Sequence, residues 1–151
     1  MLIVDAISEG GKLLVDDLRA SQRRKGLNAS GRTAASARFE VTDQRSITRL
    51  RILGSRIFRI LQNGRGPNRS GKPSREQIDG LTEWVKLRGI PVAAVWAIAT
   101  KQARYGTIVP NRNNPGGVLS QPLSKPNVVE RLKPALRSAA LDEVRTQLFR
   151  P

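Results

Sequence analysis

Apolar side chains along this chain recur at the spacing of a helix, then of a strand, then of a helix again. Over residues 3–24, Ile3, Ile7, Leu14 and Leu18 fall at near-helical intervals, and Leu13 and Val15 widen the stripe. That pattern predicts an amphipathic helix, with Gly10-Gly11 as a candidate break. The segment RRKGLNASGRT, residues 23–33, ends the helix at Gly26 and supplies Asn28, Ser30 and Gly31 as turn residues, so it reads as a basic loop. The period then becomes two. Ala37, Phe39 and Val41 alternate with Arg38, Glu40 and Thr42, while Thr48, Leu50 and Ile52 alternate with Arg49 and Arg51. Two antiparallel strands joined across residues 42–46 satisfy that alternation.

Ile57, Phe58, Ile60 and Leu61 predict a short helix, or a third strand. Behind the following glycine-rich loop, Ser74 and Gln77 form a capping box, Ile78, Leu81 and Val85 mark a buried stripe, and Gly89 with Pro91 supplies a stop. A second helix opens on Pro91 with Val92, Val95, Trp96 and Ala99 on one face and ends at Tyr105-Gly106, which makes a helical hairpin with a short connection. Trp84 and Trp96 lie on apolar faces and are expected in the core. Residues 106–127, rich in Pro, Asn and Gly, predict a small hairpin turning at the NPGG sequence or an extended binding arm. The last helix is expected to be capped by Asn127 and Glu130, to carry Val129, Leu132, Leu136, Ala140, Val144 and Leu148 on one stripe, and to kink or begin at Pro134. No internal repeat is evident. The expected fold is α+β, a single domain over residues 1–151 with the helical hairpin and the C-terminal helix packed on the strand pair.

Composition narrows the function. The 151 residues include no cysteine and no histidine, which excludes disulfides, thiolate nucleophiles and imidazole acid-base chemistry and leaves no common zinc-ligand set. Asp16-Asp17 and Asp142-Glu143 are helix neighbours whose carboxylates diverge, so catalytic residues, metal ligands and a cofactor are all expected to be none. The longest apolar run, residues 91–99, is too short to span a bilayer. The opening MLIVDAISEGGKLLVDD carries acids where a leader carries bases, and reads as part of the mature fold. Net charge is +15, and it is concentrated: residues 19–75 hold 15 Lys or Arg against Glu40 and Asp43. So basic a middle calls for a polyanionic partner, nucleic acid or an acidic protein surface.

The sequence GPNRSGKP, residues 66–73, differs at one fixed position from a phosphate-binding loop, with Pro73 standing where Ser or Thr holds magnesium. Pro67 and Pro73 also remove backbone donors, and no buried strand precedes the loop, so nucleotide hydrolysis is excluded as a reading. The alternative is a presentation loop over residues 62–73, with Gly64 and Gly66 taking positive backbone angles, Pro67 stiffening the turn, and Arg65, Arg69 and Lys72 displayed.

The order of these motifs resembles the tail-completion, or minor tail, proteins of tailed bacteriophages. The resemblance is carried by GLNASGRTAASARFEV followed by LRILGSRIFRILQNGRGPNRSG, with Ser30-Gly31-Arg32 and Asn63-Gly64-Arg65-Gly66-Pro67 at the two loops such proteins place around a strand pair. EWVKLRGI with VWAIATKQARYGT is similar to a helical insertion of some members, and LKPALRSAALDEV to their closing helix. The basic charge and the long 106–127 segment depart from the usual pattern. The resemblance implies a non-enzymatic virion component of the neck or tail, made in the host cytoplasm. Such a subunit forms a homo-oligomeric ring around the DNA channel and meets portal, connector and tail proteins, with possible non-specific contact with double-stranded DNA.

Two functions therefore stand as expectations. In the first, interfaces are made by Gly64, Arg65, Gly66, Pro67, Arg69 and Lys72, by the 106–127 arm with Arg112, and by the exposed parts of the terminal helices. In the second, the Arg-rich 19–75 region binds nucleic acid through Arg19, Arg23, Arg24 and Lys25 together with the arginines of the strand pair, and Arg32 is a candidate for either contact. Aromatic content of 4% disfavours a single-strand stacking platform.

Overall fold

The computed structural model describes residues 3–44 and 47–149. Helix α1 (Ile3–Arg24) is followed by a single turn, α2 (Arg32–Ala35), and by strands β1 (Arg38–Gln44) and β2 (Ile47–Leu53). Next come α3 (Ile57–Asn63), β3 (Gly64–Arg65), α4 (Arg75–Leu87), α5 (Ala94–Tyr105), β4 (Thr107–Ile108) and α6 (Lys125–Leu148). The result is the expected mixed α+β fold, but the C-terminal helix packs on α1 and the α4–α5 hairpin chiefly on itself, where both were expected on the strand pair. It has two small antiparallel sheets, β1–β2 and β3–β4, the second of which the sequence did not predict.

In the larger sheet Phe39 pairs with Ile52 and Val41 with Leu50, and these inward residues are half-buried while Arg38, Glu40, Arg49 and Arg51 face out. Period two thus translated directly into one covered face. The turn between the strands falls partly on residues 45–46, outside the described residues.

Helix α1 is the central layer. Gly10 and Gly11 do not break it; both are buried on an uninterrupted helix. A Cβ at Gly10 would run into Leu132 of α6, and one at Gly11 would lie 2.8 Å from both Phe39 and Leu50. The two glycines therefore let α6 and the sheet approach α1 from different sides. Tertiary contact overrides the low helix propensity of glycine here. The C-terminal helix packs along α1, which in turn lies on the strand pair. Val15 and Leu18 join Ala37, Phe58 and Val118 in the core, which ties α1, α3 and the 106–127 segment together.

An ion pair clips α6 to α1. Arg131 donates to both carboxylate oxygens of Asp17, at 2.8 and 2.9 Å, and Asn127 adds a bond at 3.0 Å. Those bonds from Arg131 hold the Asp17 pKa below its ordinary 3.8 against partial desolvation. A carboxylate with a depressed folded pKa stabilises above its unfolded pKa, and loses that contribution as pH falls through the folded value. Asp17→Asn is therefore expected to lower Tm by about 2–4 °C at pH 7, a modest effect because the pair is partly exposed. In a thermal-melt series, the gap between variant and wild type should close below the ordinary carboxylate value of 3.8. A gap that persists unchanged at pH 2 would contradict the clip.

Helix α6 begins at Lys125 with Ser124 as N-cap, so Asn127 is not the cap; its side chain serves Asp17 and the Pro122 carbonyl instead. The helix runs through Pro134 without ending.

Candidate functional site

Two segments expected to be separate, residues 62–73 and 106–127, are built into one unit. Helix α3 ends at Gly64 (φ 76°, ψ −166°) and α5 at Gly106 (φ 72°, ψ −163°), in a backbone region open essentially to glycine alone. From each glycine a two-residue strand leaves, and the strands pair, Gly64 with Ile108 and Arg65 with Thr107. The backbones meet so closely that a Cβ on Gly64 would strike the Thr107 carbonyl oxygen, and one on Gly106 the Arg65 carbonyl oxygen.

Beyond each strand the chain repeats itself: Pro67-Asn68-Arg69 and Pro110-Asn111-Arg112. Both open a turn, with Gly71 N–H donating to Asn68 O at 2.9 Å and Asn114 N–H to Asn111 O at 3.1 Å. Each turn is fastened to the other unit's helix. Asn68 N–H donates to Ala103 O of α5 at 2.8 Å, and the Asn114 side chain donates to Leu61 O of α3 at 2.8 Å. The two halves thus share the order helix, glycine, strand and Pro-Asn-Arg turn.

The polar network behind the clasp explains the loop's shape. Asn68 accepts from Arg65, donates to the Lys72 carbonyl at 2.8 Å and reaches Gln77 Oε1 at 3.0 Å. Ser74 caps α4, its Oγ accepting from the Gln77 N–H at 3.1 Å, as expected. The Gln77 side chain does not return to Ser74 to complete a box; it turns to Ala99 O and Gln102 of α5. Gln62 accepts from the N–H groups of Leu119 and Ser120 at 2.8 and 3.2 Å, so the 106–127 segment wraps α3 and is not a free arm. Its turn comes at Asn111–Asn114, ahead of Pro115-Gly116-Gly117.

Of the predicted interface residues, Gly66, Pro67, Arg69, Lys72 and Arg112 are exposed. Arg65 is half-buried and spent on Asn68, so it is not displayed, and Gly71 rather than Gly66 takes the positive φ. Arg23 and Arg24 are exposed in the last turn of α1 with Lys25 half-buried beside them. Arg32 is exposed and paired with Glu83 of α4. Arg19 turns inward, donating to Ala34 O and Ala37 O at 3.2 and 2.8 Å, and holds α1 to the start of β1.

The tryptophans correct another expectation. Trp84 is 38% and Trp96 62% exposed: on α4 the buried position is Val85, and on α5 the covered face runs through Val95, Ala99 and Ala103 at four-residue spacing. Val92 and Leu87 are also half exposed, as is Val129 on α6, and beyond Ala139 the chain leaves Leu141, Val144, Leu148 and Phe149 open. The chain exposes 10743 Å² in all. A compact monomer of 16.6 kDa exposes about 7,600 Å².

Comparison of the chain with protein-family models, with curated proteins and with solved structures finds no match in any of the three. The fold is that of a mixed helix and strand protein. Among the described residues no helix is long and apolar enough to cross a membrane.

Proposed function

We propose that this chain is a non-enzymatic structural subunit of the head–tail junction of a tailed phage, forming a homo-oligomeric ring around the DNA channel and contacting portal, connector and tail proteins in the virion. The observation that carries the reading is surface in excess. Roughly 3,000 Å² more than a compact monomer needs is of the size obligate subunits bury. Much of its apolar part lies in two places, the outside of α4–α5 and the end of α6, with Ile3, Leu13, Ile47, Ile57, Ile108 and Val129 exposed elsewhere. Aromatic residues in the open, Trp84 and Trp96 above all, are the usual anchors of such interfaces. Two different faces on one subunit are what a heterologous ring contact uses.

A second reading has its own support. Arg38, Arg49 and Arg51 share the outer face of the strand pair, and Arg23 and Arg24 extend the positive charge, as a phosphate-binding surface would require. Both readings predict salt sensitivity, since subunits at +15 repel one another until partners or ions neutralise them.

Replacing the exposed Trp84 and Trp96 by serine separates the readings. The ring reading expects assembly, followed by sedimentation velocity, to weaken at least tenfold while affinity for a duplex oligonucleotide at fixed salt stays within twofold. Unchanged assembly, with a large fall in DNA affinity when Arg38, Arg49 and Arg51 are changed to glutamine, would favour the second reading.

A further inference from the structure

We infer that the clasp formed by β3, β4 and their two Pro-Asn-Arg turns is the surface on which this chain meets the phosphate backbone of double-stranded DNA. The inference rests on the ring-subunit reading, which brings a duplex past every subunit, and it says which part of the subunit faces that duplex.

The first support is where the carboxylates are not. Residues 44–75 and 84–129 contain no Asp or Glu. The clasp joins these two stretches, since β3 and its turn come from one and β4 and its turn from the other. Arg69, Lys72 and Arg112 are exposed on or beside the turns. Arg104 is exposed in the last turn of α5, next to the Ala103 carbonyl that accepts from the Asn68 N–H. None of these four cations forms an ion pair among the described residues. Other basic sites are partly neutralised: Arg32 is paired with Glu83, Arg56 with Glu76 at 3.6 Å, and Arg38 with Glu40 at 4.0 Å. On the strand pair Glu40 also lies opposite Arg51. The clasp therefore keeps its positive charge where the strand pair gives part of it up, and an uncompensated cluster of cations is what a phosphate backbone binds.

The second support is the chemistry around the cations. Ser70, Asn113 and Tyr105 are exposed beside them. Hydroxyl and amide side chains of this kind, with Arg and Lys, make the contacts to phosphate and sugar that position a protein on a duplex. An acidic protein partner would call for an apolar centre to the contact. Among the described residues of the clasp, Ile108 is the one large aliphatic side chain that is exposed. A single strand would call for successive aromatic rings, and Tyr105 stands there alone.

The third support is rigidity. The Asn68 turn is bonded to α5, the Asn114 turn to α3, and the strands between them approach closely enough to require glycine at 64 and 106. Cations carried on fixed turns lose less freedom on binding than cations on a free loop.

Two triple variants remove the same charge from two surfaces: Arg69→Gln, Arg104→Gln and Arg112→Gln on the clasp, and Arg38→Gln, Arg49→Gln and Arg51→Gln on the strand pair. All six arginines are exposed. Fluorescence anisotropy of a labelled mixed-sequence duplex, titrated with full-length protein over a range of salt, reads affinity and its salt dependence. At about 0.1 M salt the clasp variant should bind at least about tenfold more weakly, with the slope of log affinity against log salt shallower by about 2 to 3. The strand-pair variant should stay within about threefold of wild type, the share due to net charge alone. Unlabelled duplex added to wild-type protein should also shift the amide resonances of residues 66–72 and 108–113, a readout that needs no variant. An equal or larger loss in the strand-pair variant overturns the inference and favours the second reading. Absence of duplex binding, or of resonance shifts in the clasp, overturns it as well. Polyglutamate bound as tightly as the duplex, and through the same clasp arginines, would make the surface a site for acidic protein and overturn it too. Wild-type protein that binds duplex through the clasp yet sediments as a monomer at every concentration overturns the ring reading and leaves this surface assigned.

Discussion

Gly64→Ala is expected to cost about 3 kcal/mol and to open the clasp between the two halves of the candidate site. Two terms act together. The backbone at φ 76° and ψ −166° is one that a side chain strongly disfavours. The added Cβ also falls on the Thr107 carbonyl oxygen, which is backbone and held by its own strand pairing. Relief therefore requires β3 and β4 to separate, which frees the Asn68 turn from α5 and loosens the α4–α5 hairpin. Gly66→Ala, two residues away, is the internal control: a Cβ there meets nothing within 4 Å, and the cost should stay below about 0.5 kcal/mol. Urea denaturation of the two variants, with amide exchange at Arg65 and Thr107, measures the contrast. Equal stability of the two would contradict the clasp.

Phe58→Ala is expected to lose about 3–4 kcal/mol, a large share of the stability of a domain this size. Phe58 is 3% exposed and shares the core with Val15 and Leu18 of α1, Ala37 before β1 and Val118 of the wrapping segment. Its removal leaves a cavity at the point where all four converge, and no single neighbour can close it. Phe58→Leu keeps most of the volume and should cost under about 1.5 kcal/mol. Chemical denaturation with unchanged slope would report these values directly. A loss below about 1 kcal/mol for the alanine variant would mean that α3 does not anchor the core.

Much of this fold was legible in periodicity. The strand pair followed from strict alternation between Ala37 and Ile52, and α4 followed from its cap at Ser74 and its stop at Gly89. What periodicity reveals is which residues share a face, not whether anything covers that face. Trp84 and Trp96 were expected in the core for that reason, and the same limit hid the open end of the α6 stripe. Gly10 and Gly11 were misjudged because local propensity is blind to a neighbouring helix or sheet that needs the missing Cβ. Residues 106–127 have the composition of irregular backbone, and irregular backbone need not be free. The bonds of Gln62 and Asn114 that fold it around α3 connect residues more than fifty positions apart. The displayed cations Arg69, Lys72 and Arg112 were found from sequence; the asparagine and glutamine network that sets their turns was not.

The central claim is that the chain acts through protein contacts in a ring at the head–tail junction. Its most direct test is affinity capture of the tagged protein from infected or source-cell lysate, with and without nuclease, followed by mass spectrometry of what stays bound. The account predicts that portal, connector or tail proteins remain in near-constant ratio to the bait after nuclease treatment. Loss of every partner once nucleic acid is digested would contradict it and leave the +15 charge as the function.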